Sequence, residues 1–423
     1  MDSSDAKQLF ADFVVPNYGR YDVVLDRGEG TRVWDDAGKS YLDFGAGIAV
    51  SVLGHRHPRI LEALSFQGAR LIHTSNLYYT RPQGELARRL VELTRLPGKV
   101  FFANSGAEVN EALIKAARKF GNECIPKSGQ AEPRYEILTF HRSFHGRTMA
   151  GISATAQEKV KVGFGPLLSG FRHLPYNDLG AVKDAISPQT VGILMEVVQG
   201  EGGIHVAAPE FLHGLRALCD EHDLLLMFDE IQCGLGRVGT WRAWEDLDPT
   251  VMPDAVSWAK GIGGGFPLGA AWFGQKSVQR REGGAIKFCD LLQPGTHGTT
   301  FGGTPLACAV SLAVLRAIEE EGLLAHVRRL GAEAVQKLQA VKGVKEVRGF
   351  GLMLGMELDE RLAAATQGSG PTAALAVVTR LLQNGLMAVP AGPTVIRFLP
   401  PLNVRPEEVD EAVAILAATL QSF

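Results

Sequence analysis

The 423 residues exceed what one ordinary domain needs, and 46% hydrophobic with 21% charged residues is the balance of a globular chain, so two or three domains with large cores are expected and disorder is not. The 43 basic and 46 acidic residues leave a formal net charge of −3, which excludes bulk attraction to nucleic acid or to an anionic membrane. Five cysteines, at 124, 219, 233, 289 and 308, are odd in number and show no C-x-x-C spacing, so neither a disulfide framework nor a metal site is expected.

Met1 to Phe10 carries Asp2 and Asp5 and no apolar stretch, so no targeting segment is expected there. No uncharged run approaches the ~18 residues of a membrane span, and a cytoplasmic protein is the resulting expectation. Thr31–Trp34 and Ser40–Phe44 flank Asp35-Asp36-Ala37-Gly38, a hairpin signal within an N-terminal segment over residues 1–60. From 61 to 310, strand-like runs at Lys99–Ala103, Glu136–Phe140, Gly192–Val198, Leu224–Asp229, Asp254–Trp258 and Leu268–Phe273 alternate with helical periodicity. Phe211, Leu215, Leu218, Cys219 and His222 after Pro209 are one example of that periodicity. Such alternation predicts an α/β domain with a mainly parallel sheet. After 310 the texture changes: helices at Leu306–Glu320, Thr372–Asn384 and from Pro406 mix with strands at Val344–Arg348, Leu352–Leu358 and Val395–Leu399. Residues 311–423 read as a smaller C-terminal α+β domain.

Three places carry chemistry. Ser105-Gly106-Ala107-Glu108 follows an apolar run and opens a helix whose Val109, Ala112, Leu113, Ala116, Ala117 and Phe120 share a face. Ser105 and Glu108 have capping-box spacing, and free amides at such a start favour an anion, although many capped helices bind nothing. Leu224 to Phe228 is a buried strand ending in Asp229 and Glu230, and ligands of parallel sheets bind at that edge. Lys260 stands between the strand at Trp258 and the run Gly261-Ile262-Gly263-Gly264-Gly265. Most lysines lie on solvated faces; one set among glycines and desolvated can lose its proton and act as a nucleophile. A nucleophilic lysine, a strand-end carboxylate and a phosphate cradle are the parts that pyridoxal phosphate chemistry needs. Gly234-Leu235-Gly236-Arg237-Val238-Gly239 also fits the dinucleotide fingerprint G-x-G-x-x-G, but no long apolar helix or second acid-tipped strand follows, so these read as turn glycines.

Taken together, Gly54-His55-Arg56-His57-Pro58, Ser105 to Ala112, Ser143-Phe144-His145-Gly146-Arg147-Thr148, Val198-Gln199-Gly200-Glu201-Gly202-Gly203, Asp229-Glu230-Ile231-Gln232, Ala259-Lys260-Gly261 and His297 to Gly303 resemble the class III (ω-amino) aminotransferases of fold type I. The likeness runs from about Phe13 to about Leu416 and is strongest to the acetylornithine type. It implies a homodimer that uses pyridoxal 5'-phosphate to move the amino group of N-acetylornithine to 2-oxoglutarate, giving glutamate, a step of arginine biosynthesis. Ornithine, 4-aminobutyrate, putrescine and succinyl-diaminopimelate are the alternative donors. A ligand-sensing protein on the same fold would lack the lysine or carry an added nucleic-acid module. By the same resemblance Lys260 bonds covalently to the cofactor and shuttles the proton, Asp229 pairs with its ring nitrogen and Gln232 lies near its ring hydroxyl. Gly106 and Ala107 give amides to its phosphate, Phe144 stacks on its ring, and Thr300 reaches the phosphate from a second subunit. Arg147, Thr299 and Tyr18 fall to the donor, and Glu201 and Arg397 form a pair that opens for the α-carboxylate of 2-oxoglutarate. Val109 and Val238 depart from the family pattern, and Cys124–Pro133 is longer than usual and is expected as a surface loop.

Overall fold

Apolar runs of four to seven residues, too short for helices and rich in branched side chains, dictate the central sheet. The computed structural model describes residues 3–126, 129, 132–366, 368 and 370–423. Within it Gly98–Ala103 (β1), Glu136–Phe140 (β2), Phe171–Leu174 (β3), Thr190–Glu196 (β4), Leu225–Asp229 (β5), Ala255–Trp258 (β6) and Gly269–Gly274 (β7) form one sheet in the order β1-β7-β6-β5-β4-β2-β3. The pairs from β3 through β6 are parallel, and β7 runs antiparallel to both of its neighbours. Alternate residues serve opposite faces, as strand geometry requires. Leu226 and Phe228 of β5 join one core with Phe211 and Leu215 of helix Pro209–Glu221. Leu225 and Met227 join another with Val109, Leu113 and Phe120 of helix Gly106–Glu123. β3 carries no clear sequence signal, because its Phe-Arg-His-Leu is half polar.

Register fixes what meets at the carboxyl edge. Asp229 lies opposite Glu196 on β4 and Ser257 on β6, and Lys260 follows β6 directly. Three charged groups distant in the chain therefore converge there.

The hairpin expected near the start forms, with Arg32–Asp35 paired to Ser40–Asp43. It is joined by Leu386–Met387, whose Leu386 lies opposite Leu42. Leu42, Phe44 and Leu53 share a core with Leu354, Leu381 and Leu416, so the N-terminal segment is built into the C-terminal layer. Helix Pro305–Glu320 crosses between layers. Its Cys308 and Leu315 enter the large core, while Val310 and Val314 enter the second, so position 310 falls inside a helix. A second sheet pairs Val344–Phe350, Met353–Leu358, Val395–Phe398 and Val389–Pro390 in that order. Of the expected loop at 124–133, Cys124–Ile125 is a short strand against Ser277–Arg280, and residues 127, 128, 130 and 131 lie outside the described residues.

Candidate active site

At the carboxyl edge a cavity of about 400 Å³ opens, a size that suits a small cofactor with substrate. Its walls include Gly106, Ala107, Phe144, Arg147, Glu201, Asp229, Gln232 and Lys260, eight of the residues expected at the site.

Lys260 sits in a short turn at φ 48°, a left-handed conformation that a side chain other than glycine adopts at a cost. The glycines after it let this turn pack closely: a Cβ on Gly261 would lie 2.7 Å from Val52. Burial pulls the lysine from its ordinary 10.5 to about 8; Arg397 adds to the shift, while Glu201 and Asp229 oppose it. A neutral amine is thus within reach at physiological pH.

Asp229, 4% exposed, is held by a buried network. Its Oδ2 accepts from Asn110 Nδ2 at 2.7 Å and lies 2.9 Å from His145 Nδ1, while Oδ1 accepts from the Ile231 amide at 3.1 Å. Ser257 Oγ donates to Asn110 Oδ1 at 2.8 Å and fixes that amide in turn. Asn110 escaped the sequence reading because it lies on an amphipathic helix, one residue after Val109, and looks like an edge of the apolar face. Glu230, next in sequence, points away from the cavity. It accepts from the amides of Ala243 and Trp244 at 2.6 and 3.3 Å, and burial raises it to about 8.

Glu196 was also not singled out, although it ends β4 just as Asp229 ends β5. The apolar Val197 and Val198 after it hide the strand end in the sequence. Its two oxygens accept from the amides of Phe144 and Gly200, each at 3.0 Å. Burial raises it to about 7, against the pull of His145.

At the helix start, Ser105 Oγ accepts from the Glu108 amide at 3.3 Å and the Glu108 carboxylate accepts from the Asn104 amide at 2.8 Å. The amides of Gly106 and Ala107 have no carbonyl one turn back, as at any helix start, and are positioned for an anion. Gly106 admits Ile231, whose Cδ1 would be 2.8 Å from an added Cβ. Phe144 forms a flat wall, and the Arg147 guanidinium stands 5.8 Å from its ring centroid. Arg147 is exposed at the mouth.

Arg397 is 1% exposed and its Nη1 donates to Glu201 Oε1 at 2.8 Å, Gln232 Oε1 at 2.7 Å and the Gly200 carbonyl at 2.6 Å. Burial alone would raise Glu201, but Arg397 and Lys260 outweigh it and hold the carboxyl at about 2. Gln232 is therefore committed to the arginine in this state.

Four expected residues do not line the cavity, and one of them, Arg397, meets it only through Glu201 and Gln232, which do. Thr299 is next to it, with Oγ1 accepting from Asn104 Nδ2 at 3.1 Å. Thr300 is exposed and contributes nothing to the cavity of its own chain. Tyr18 is 71% exposed on the N-terminal segment and lies outside the cavity.

Residues 14–420 match the family model for class III aminotransferases. An acetylornithine aminotransferase of Caldanaerobacter subterraneus is 46% identical over 97% of this chain and 98% of that protein. The crystal structure of N-acetylornithine aminotransferase from Stenotrophomonas maltophilia is 37% identical with a TM-score of 0.78, covering 98% of each chain. An ornithine aminotransferase from Toxoplasma gondii superposes with a TM-score of 0.88 at 33% identity, over 100% of this chain and 96% of that one. With a lysine, an acid and an anion cradle meeting in one cavity, and a family match over almost the whole length, this chain is an enzyme that belongs to the class III aminotransferases.

Proposed function

We propose that this enzyme transfers the ω-amino group of N-acetylornithine to 2-oxoglutarate, giving N-acetylglutamate semialdehyde and glutamate. Relatives named acetylornithine aminotransferase, similar from end to end, support the choice of donor. The observation that carries the two-substrate reading is Arg397, buried and paired to Glu201 of the cavity wall.

The family's cofactor is pyridoxal phosphate, and the residues present fit it: a desolvated lysine, a buried acid and free helix-start amides line one cavity. When bound, this group supplies an electron-withdrawing ring that stabilises negative charge on the carbon bearing the amine. Gly106 and Ala107 would hold its phosphate, Phe144 its face and Asp229 its ring nitrogen. Thr300 would reach the phosphate in a second subunit of a homodimer. Exposed Leu77 and Tyr79, at 86% and 107%, support such an interface, because their segment is tied to that of Thr300: Asn76 Nδ2 donates to the Thr299 and Gly302 carbonyls at 3.2 and 2.9 Å. The Lys260 amine, its hold on a proton weakened by burial, accepts the proton from the amine-bearing carbon and returns it. Arg147 at the mouth takes the distant α-carboxylate of the donor, with Thr299 beside it.

The two substrates make opposite demands near the reacting atoms. The donor brings an apolar chain, beside which an unpaired guanidinium would be costly; Glu201 keeps Arg397 paired. Glutamate and 2-oxoglutarate bring an α-carboxylate, for which Glu201 swings aside and Arg397 offers its planar fork. Arg397→Ala is expected to slow the 2-oxoglutarate half-reaction far more than the N-acetylornithine half-reaction, and Glu201→Ala to do the reverse. Stopped-flow traces of each half-reaction read this directly; equal losses in both, with a lowered Tm, would make the pair purely structural.

Donor choice is tested by initial rates on a panel of ω-amino compounds with 2-oxoglutarate. N-acetylornithine is expected to show the highest kcat/KM. 4-Aminobutyrate is one carbon shorter and has no α-acylamino group, so its carboxylate falls short of Arg147, and ornithine brings an unmasked α-ammonium to a cationic mouth. A clear preference for 4-aminobutyrate would overturn the donor and leave the class standing.

A further inference from the structure

The run Gly234 to Gly239 matches a dinucleotide fingerprint yet has no part in the cavity. Its glycines are explained by packing. A Cβ on Gly234 would lie 2.8 Å from Glu230 Oε2, and one on Gly239 would lie 2.4 Å from Arg328 Cγ. Gly236, at φ 100°, faces Leu402 of the C-terminal layer. The turn is thus pressed between layers rather than open to a ligand.

Arg237 lies at its centre, 1% exposed. Its Nη1 donates to the Leu352 carbonyl at 3.1 Å and the Pro400 carbonyl at 2.5 Å, and its own carbonyl accepts from the Leu352 amide at 3.1 Å. Its Nε and Nη2 have no partner among the described residues. Burial alone pulls the guanidinium down, to about 9, which still leaves it charged at neutral pH. A buried cation held only by carbonyls is a poor device for stability, since apolar side chains of similar volume do as well or better. Its geometry suggests another use. Leu352 and Pro400 flank the paired strands Met353–Leu358 and Val395–Phe398, in which Gly355 lies opposite Arg397. Arg237 therefore grips both strands at one end, and Arg397 projects from that end across the junction to Glu201.

We propose that Arg237 is a positioning residue for substrate selection: it seats the strand carrying Arg397 so that the arginine fork meets Glu201 in one half-reaction and the α-carboxylate of the acceptor in the other. This rests on the two-substrate reading above. The Lys260 region hangs on a different part of the molecule, β6, so loosening the clamp displaces Arg397 and leaves the donor chemistry.

The test uses the full-length holoenzyme with Arg237→Gln and Arg237→Lys, each half-reaction followed separately, alongside Tm. A small displacement of a positioning group costs up to about a hundredfold. For Arg237→Gln the expected result is a roughly tenfold or greater loss in the 2-oxoglutarate half-reaction with less than about threefold in the donor half-reaction. Arg237→Lys, whose ammonium can still donate to both carbonyls, should recover much of the loss while keeping the same asymmetry. Equal losses in both half-reactions, or none in either, overturn the proposal. If Arg237→Gln fails to fold, the asymmetry in Arg237→Lys decides alone. The split is read with whichever ω-amino donor the wild type accepts, so a wrong donor assignment shows in the wild type and an unseated Arg397 shows only in the variants.

Discussion

Lys260→Ala is expected to abolish turnover. A positioned proton carrier alone contributes about 10²–10⁴-fold, and the covalent anchoring of the cofactor is lost with it, so kcat should fall by at least roughly a thousandfold. The protein should still fold: the lysine makes no ion pair among the described residues, and its desolvation is a cost to the native state. The amides of Gly106 and Ala107 remain, so cofactor should still be retained through its phosphate, without covalent attachment. Wild-type protein stripped of cofactor adds a pH signature. Attachment needs the neutral amine, and burial lowers Lys260 to about 8. The rate of reconstitution should therefore climb as pH rises through about 8 and level off above it. A lysine of ordinary basicity would keep climbing well past that point. Residual turnover near wild type in Lys260→Ala would remove the residue from the mechanism.

The next largest effect is expected at Asp229. Alanine would leave His145 Nδ1 without its acceptor and Asn110 Nδ2 with the His145 carbonyl alone, a burial cost of about 1–3 kcal/mol that mixes stability with catalysis. Asp229→Asn is cleaner, because an amide oxygen can still accept from Asn110 while the charge is gone. A charge-assisted bond is worth about 1.5–3 kcal/mol in binding, which bounds the loss of cofactor affinity. The charge matters most where negative charge develops on the reacting carbon, so kcat should fall by roughly 10²–10³-fold, more than cofactor binding does. Measuring kcat and cofactor Kd side by side separates the two. Near-normal kcat in Asp229→Asn would rule the role out.

These residues were readable in the sequence for a simple physical reason. A strand in a parallel sheet is a continuous apolar run, so an acid after Leu224–Phe228 and a lysine after Trp258 stand out against it. The helix of Gly106–Glu123 was equally legible: all six residues assigned to its apolar face are buried. What stayed hidden depends on pairing across the chain. Glu196 becomes a site residue only when β4 registers with β5, and Asn110 only when its helix lies over Asp229. The joining of Leu386 to Leu42 links segments too distant for local periodicity to report. Tyr18 was assigned through family resemblance alone, and on this chain it is exposed away from the cavity.

The lysine that carries the cofactor is expected to be Lys260. Reducing the holoenzyme with borohydride fixes the cofactor to the amine that holds it, and peptide mapping then identifies that amine. The label is expected on the peptide containing Ala259-Lys260-Gly261, and addition of N-acetylornithine before reduction should prevent it, because the donor takes the place of the lysine. A label on any other lysine, or one that the amino donor leaves unchanged, would remove Lys260 from that role.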